Sequence, residues 1–180
     1  MIRLFAALSP PPEIAEALIQ RQQGLAGALW RPEDALHVTL RFFGEIDEAK
    51  ADDLDAELSG VARGPLTLEL AGVGAFGDGG DVHSVWAGVT ENAALRQLAR
   101  RCEMAARRAG LKPETRSWRP HLTLAYLSGP EPTAVAAWIQ ANNLLRSPPF
   151  RLDAFGLYSS RRGADGSRYR LERRYPLGGA

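Results

Sequence analysis

The chain has 180 residues, enough for one hydrophobic core or for two small lobes sharing one, and too few for several independent domains. At 45% hydrophobic and 24% charged residues it has the composition of a globular protein, and no apolar run approaches the roughly 18 residues of a membrane span. A net charge of +1 excludes the global basic field of a protein that coats long duplex nucleic acid.

The kind of base says more than the total. Lys50 and Lys112 are the lysines, and every other basic side chain except the three histidines is arginine. Arginine's planar fork suits phosphate, but a genome-wide codon bias produces the same excess, so composition alone does not reach function. The single cysteine, Cys102, allows no internal disulfide, and the opening Met1-Ile2-Arg3-Leu4-Phe5 lacks the apolar stretch of a secretory signal. The expectation is a monomer in a reducing cytoplasm, without a membrane partner.

In chain order, residues 2–8 form a short apolar strand. Ser9 and the prolines at 10–12 open a helix over about 11–26. Residues 36–43 form a strand. Asp47 then starts a helix with Ala51, Leu54, Leu58 and Val61 on one face. Residues 66–70 alternate as a strand, and the glycine-rich 72–80 reads as a turn into a strand at 82–89. A second series follows: a helix over 91–109 carrying Leu95, Leu98, Cys102 and Ala106 and ended by Gly110, a strand at 120–127, and a helix opened by Pro132. Residues 150–158 and 168–175 then pair as a hairpin around the Gly-Ala-Asp-Gly segment at 163–166. The two series match element for element, as a duplication would produce, so the chain reads as one compact bilobal domain over 1–180.

The halves share one motif, His-x-Thr-Leu, as His37-Val38-Thr39-Leu40 and His121-Leu122-Thr123-Leu124, 84 residues apart. One copy is weak; two copies at matching places, using two of three histidines, are not chance. On a strand, residues i and i+2 share a face, so each histidine stands beside its own threonine while Val38, Leu40, Leu122 and Leu124 anchor the opposite face in a core. By the same parity Arg41 and Arg119 join the histidines. Two imidazoles, two hydroxyls and an arginine suit displacement at phosphorus: one base for water, one acid for the leaving oxygen, and donors for the non-bridging oxygens. The sequence has no His-Glu-x-x-His, paired cysteines or clustered carboxylates, so neither a metal nor another cofactor is expected. His83 has no threonine two residues on and reads as a surface strand residue.

At these residues the chain resembles the 2H phosphoesterases, in particular the RNA 2′,3′-cyclic phosphodiesterase branch, also called the 2′-5′ RNA ligase family. The resemblance covers nearly the whole chain. It is carried by residues 3–8, by 36–44 around the first motif, by Trp118-Arg119-Pro120-His121-Leu122-Thr123-Leu124-Ala125, and by 157–160 and 174–177. It implies an α+β, bilobal, pseudo-twofold fold with two antiparallel sheets flanked by helices around a central cleft. It also implies hydrolysis of RNA 2′,3′-cyclic phosphate ends, tRNA halves among them, to 2′-phosphomonoesters. On that pattern His37 protonates the leaving 3′ oxygen, His121 activates water, and Thr39 and Thr123 bind phosphate; reverse joining of RNA ends through a 2′-5′ bond comes with it. The motif itself is symmetric and assigns neither role. One departure stands out: Tyr126 occupies a position where the family's second signature commonly carries arginine, leaving Arg41, Arg119, Arg161, Arg162 and Arg168 as other sources of charge. Phe42, Phe43, Trp30, Trp118 and Tyr158 are candidate stacking surfaces for a terminal base, with core packing as the ordinary alternative. Two other functions stay open: a phosphodiesterase for a small cyclic or 2′-5′ linked nucleotide, and a non-catalytic module that grips RNA ends, which the loss of arginine at 126 favours.

Overall fold

The computed structural model describes residues 1–61, 64–163 and 166–178. In chain order the elements are β1 (Ile2–Leu8), α1 (Pro12–Ile19), β2 (Leu29–Trp30), β3 (Val38–Ile46), α2 (Glu48–Ser59), β4 (Leu66–Leu68), β5 (Leu70–Phe76), β6 (Ser84–Val89), α3 (Ala93–Arg108), β7 (His121–Tyr126), α4 (Pro132–Asn142), β8 (Phe150–Leu152), β9 (Ala154–Gly163) and β10 (Gly166–Pro176). Ala164 and Asp165, at the tip of the expected hairpin turn, lie outside the described residues; β9 and β10 on either side of them pair as a hairpin, but residues 150–152 do not belong to it and pair instead with β4 as the separate strand β8.

The class is α+β, as the resemblance implies. The expected two sheets are the two halves of one antiparallel sheet, ordered β10-β9-β1-β3-β7-β6-β5, while β4 and β8 form a separate two-stranded ladder. The halves meet at a narrow seam, the antiparallel pair Val38↔Leu122 between β3 and β7. Beyond it, the same edge of β7 is taken by β2, through Leu29↔Tyr126 and Trp30↔Ala125.

One face of the sheet is buried. Val38, Leu40, Leu122 and Leu124 are inaccessible, with Leu54 and Leu58 of α2 and Leu95, Leu98 and Cys102 of α3 in the same cluster. The helices start where local chemistry dictates: Asp47 accepts from the Lys50 N–H, Asn92 from the Leu95 N–H, and Pro132 opens α4. Burial pushes the Cys102 thiol up to about 12, so it behaves as a small hydrophobe rather than a nucleophile.

Two further elements differ from the sequence reading. The first helix stops at Ile19 rather than near 26. Past Leu18 no apolar residue extends its buried face: Gln22 reaches instead to the Arg31 carbonyl at 2.7 Å, and Gly24 adopts φ +76°. The glycine-rich stretch is strand through Phe76, and the turn is confined to the residues after it. Gly74 lies under the Trp86 ring, where a Cβ would come within 2.5 Å of two ring carbons, so glycine there makes room for an aromatic neighbour rather than breaking the strand.

The seam dictates a stability prediction. Leu122 is fully buried where the halves join, so Leu122→Ala removes packing from both and should cost about 2–5 kcal/mol. Urea denaturation measures this; a loss below about 1 kcal/mol would show that the seam is not a packed junction.

Candidate active site

The antiparallel register about Val38↔Leu122 sets the two motifs against each other: His37 lies across from Thr123, and Thr39 across from His121. With the hydrophobic residues of both motifs buried on the helical side, the histidines and threonines share the other face.

His37 precedes β3 and is 8% exposed. Its ring packs against Tyr158 at 4.5 Å between centroids, Tyr169 at 5.6 Å and the edge of Phe5 at 5.8 Å. Its Nδ1 is buried without a hydrogen-bond partner among the described residues. Lost hydration, aided by the positive charge of Arg31, lowers the imidazole from 6.5 to about 4.

His121 opens β7 between the ring of Phe76, met edge-on at 4.8 Å, and Trp86 at 6.0 Å. Its Nδ1–H donates to the Arg119 carbonyl at 2.7 Å, which leaves the Nε2 lone pair as the ring's free base. Burial, and next the charge of Arg119, lower its pKa; the hydrogen bond to the Arg119 carbonyl opposes them.

Of the other residues expected near the histidines, Thr39, Thr123 and Tyr158 are present on their face. The Thr39 carbonyl accepts from Trp118 Nε1 at 3.0 Å, and the Tyr158 hydroxyl pairs with Ser9 Oγ at 2.7 Å. Arg119 is exposed beside His121. Arg41 is not brought to this face. The pairing of β1 with β3 steps from Ala7↔Thr39 to Ala6↔Arg41, leaving Leu40 as a bulge. That extra residue breaks the i, i+2 parity, so Arg41 turns to the helices, bonding Glu103 at 2.5 Å and the Lys112 carbonyl at 2.8 Å. Phe43 follows it into the core beneath the Arg41 guanidinium. Phe42 takes the site face instead, 39% exposed and 5.4 Å from Phe5. Trp30 packs on Trp138. His83 is exposed, as read from the sequence.

Arg31 escaped the sequence reading. It is 3% exposed, with its guanidinium carbon 5.3 Å from the centroid of Tyr126 and 5.4 Å from that of Tyr169. Tyr126, 42% exposed, stands where the family resemblance led one to look for arginine, and the arginine over it comes from before the first motif. Tyr169, Phe76 and Trp86 were missed as well. Tyr169 and Trp86 fell in expected strands and Phe76 in an expected turn, and nothing local marked which face would meet a histidine.

A buried and a half-buried imidazole on one face of a two-part antiparallel sheet, with threonines and arginine charge beside them, fit the class of 2H phosphoesterases. The profile described as the 2′-5′ RNA ligase superfamily matches residues 10–164, and this chain belongs to that superfamily. It is 30% identical over 134 residues to the RNA 2′,3′-cyclic phosphodiesterase of Archaeoglobus fulgidus, covering 73% of this chain and 76% of that one. Among solved structures it is similar to Escherichia coli LigT complexed with 3′-AMP, with TM-score 0.78, 28% identity and 99% of both chains covered. TT0787 of Thermus thermophilus shares the fold at TM-score 0.81 and 24% identity over 98% of both chains.

The electrostatics make a prediction. In the free protein at neutral pH His37 is uncharged, and NMR of its imidazole should give a midpoint near 4. Because the folded group binds its proton below the ordinary 6.5, the unfolded chain takes the proton first. Stability should therefore fall as the pH drops from about 6.5 to about 4, and His37→Asn should flatten that slope. A midpoint at 6.5 would refute the desolvated placement.

Proposed function

We propose that this chain hydrolyses RNA 2′,3′-cyclic phosphate ends to 2′-phosphomonoesters, with His37 and His121 as a metal-independent acid–base pair. The observation that carries this is the antiparallel register at Val38↔Leu122, which puts each histidine across from the other motif's threonine and on opposite sides of one face. An in-line displacement needs its base and its acid on opposite sides of phosphorus.

His121 takes a proton from water through Nε2, the atom its Nδ1 hydrogen bond leaves free. The water oxygen bonds to phosphorus, the P–O3′ bond breaks, and the proton on His37 passes to O3′. The product carries a 2′-phosphate and a 3′-hydroxyl. His37 is neutral in the free protein, so its proton must arrive with the substrate: an anionic phosphodiester beside it favours imidazolium. Thr39 and Thr123 donate to the non-bridging oxygens, and Tyr158 and Phe42 offer faces for the terminal base. A 5′-hydroxyl in place of water gives a 2′-5′ bond by the same bond changes, so ligation is the natural side reaction. The same reading takes the chain as one catalytic unit across both halves, a cytoplasmic monomer acting on ends such as those of tRNA halves.

The test is a short RNA ending in a 2′,3′-cyclic phosphate, incubated in EDTA with the unmutated protein, His37→Ala and His121→Ala. Turnover to the 2′-phosphate isomer is expected, with each variant slower by about 10²–10⁴-fold. A 3′-phosphate product would invert the assignment of the leaving oxygen. Tight binding of the RNA end without turnover would favour an RNA-end binding module. Faster turnover of a cyclic mononucleotide than of the RNA would move the substrate to small nucleotides.

A further inference from the structure

With His37, Ser84 and Ser159, Arg31 is one of the buried polar residues among the described ones. A buried guanidinium ordinarily has a carboxylate partner, and no carboxylate among the described residues lies within ion-pairing distance of this one. It is nevertheless held firmly. Its backbone N–H donates to the Leu124 carbonyl of the second motif at 2.8 Å, and its own carbonyl accepts from Gln22. One guanidinium nitrogen donates to the Ser167 carbonyl of β10 at 3.0 Å, and the Tyr126 and Tyr169 rings hold the cation between them.

Three separate pieces of chain thus converge on a cation that shares the Tyr169 ring with His37: the loop before the first motif, the second-motif strand and the C-terminal hairpin. A desolvated charge without a counter-ion is costly, and its field is strong because water does not screen it. Such an arrangement is retained where an anion is to be met.

We propose that Arg31 is the positioning residue that draws the phosphate anion into the cleft beside His37. This rests on the reading of the cleft as a phosphodiesterase site. In the free protein the Arg31 charge disfavours a second cation at His37. When the phosphate arrives, its negative charge offsets Arg31 and favours the imidazolium against burial, the larger of the two effects that keep His37 neutral. Arg31 does this through its field and does not touch the substrate. It supplies from before the first motif the charge that Tyr126 lacks.

The groups facing His37 are Tyr158 on β9, Tyr169 on β10, Phe5 on β1 and Arg31, with Glu33 and Asp34 lining the adjoining groove beside α1. Of these, Arg31 alone is a cation, so its removal has one sign: His37 must titrate higher.

The experiment follows inorganic phosphate binding and the His37 imidazole resonance by NMR in the unmutated protein, Arg31→Lys, Arg31→Met and Arg31→Gln. Arg31→Gln retains a donor for the Ser167 carbonyl while removing the charge, so it separates charge from scaffolding. Arg31→Met and Arg31→Gln should bind phosphate about 10- to 100-fold more weakly, with His37 titrating at higher pH, and Arg31→Lys should keep both properties near those of the unmutated protein. Folded Arg31→Gln with unchanged phosphate affinity and unchanged His37 titration would overturn the proposal, reducing Arg31 to a structural clip; should Arg31→Met fail to fold, Arg31→Gln and Arg31→Lys still decide. Neither readout needs turnover, so a failure of the hydrolase reading and a failure of this one would be told apart.

Discussion

The pairing of Val38 with Leu122 is the constraint on which the rest of the molecule turns. An antiparallel pair has a local twofold axis, so a motif repeated in both strands is presented twice, in opposite senses, about one point. A slip of one residue between the two strands would invert one motif relative to the other, sending its histidine into the helical core and its hydrophobic residues to the open face. The burial of Val38, Leu40, Leu122 and Leu124 forbids that slip, because each side chain contributes about 1.5–3 kcal/mol by leaving water. The seam is also short. With β2 taking over the edge of β7 beyond it, the two half-sheets are tied at the motifs alone.

Around that seam each histidine is walled by aromatic rings: Phe5, Tyr158 and Tyr169 on one side, Phe76 and Trp86 on the other. The walls stand close because glycines lie under them. A Cβ on Gly156 would come within 2.6 Å of Tyr158, as one on Gly74 would meet Trp86. Dry walls have two consequences that pull in opposite directions. They keep the imidazoles neutral, which suits a base, and they make every nearby charge act over a longer range, which is why a single buried arginine matters as much as a surface cluster of them would.

Much of this was legible in the chain itself. The helix starts at Asp47 and Pro132, the periodicity of α3 and the duplicated motif are local signals, and the α+β class came with the resemblance that the motif carries. What stayed hidden is fixed by pairing partners rather than by propensity. The bulge at Leu40 exists because β3 must match β1, and nothing in Leu-Arg-Phe-Phe-Gly announces it; parity alone therefore assigned Arg41 and Phe43 to the wrong face. Gly74 read as a turn residue until the ring across from it was known. Arg31 looked like any other arginine of an arginine-rich chain because its surroundings come from β7 and β10, far off in sequence.

The twofold axis supplies placement but cannot supply roles, since a symmetric pair of histidines would be interchangeable. Division of labour needs the two environments to differ, and they do. His121 has its Nδ1 committed to a backbone carbonyl, which fixes one tautomer and one basic nitrogen. His37 has no such partner among the described residues, sits deeper, and lies in the field of Arg31. A fixed tautomer suits a standing base, and a buried imidazole that an anion would charge suits an acid. The two motifs are alike, and the residues that make their surroundings unequal, Arg119 through its carbonyl and Arg31 through its charge, lie just outside them.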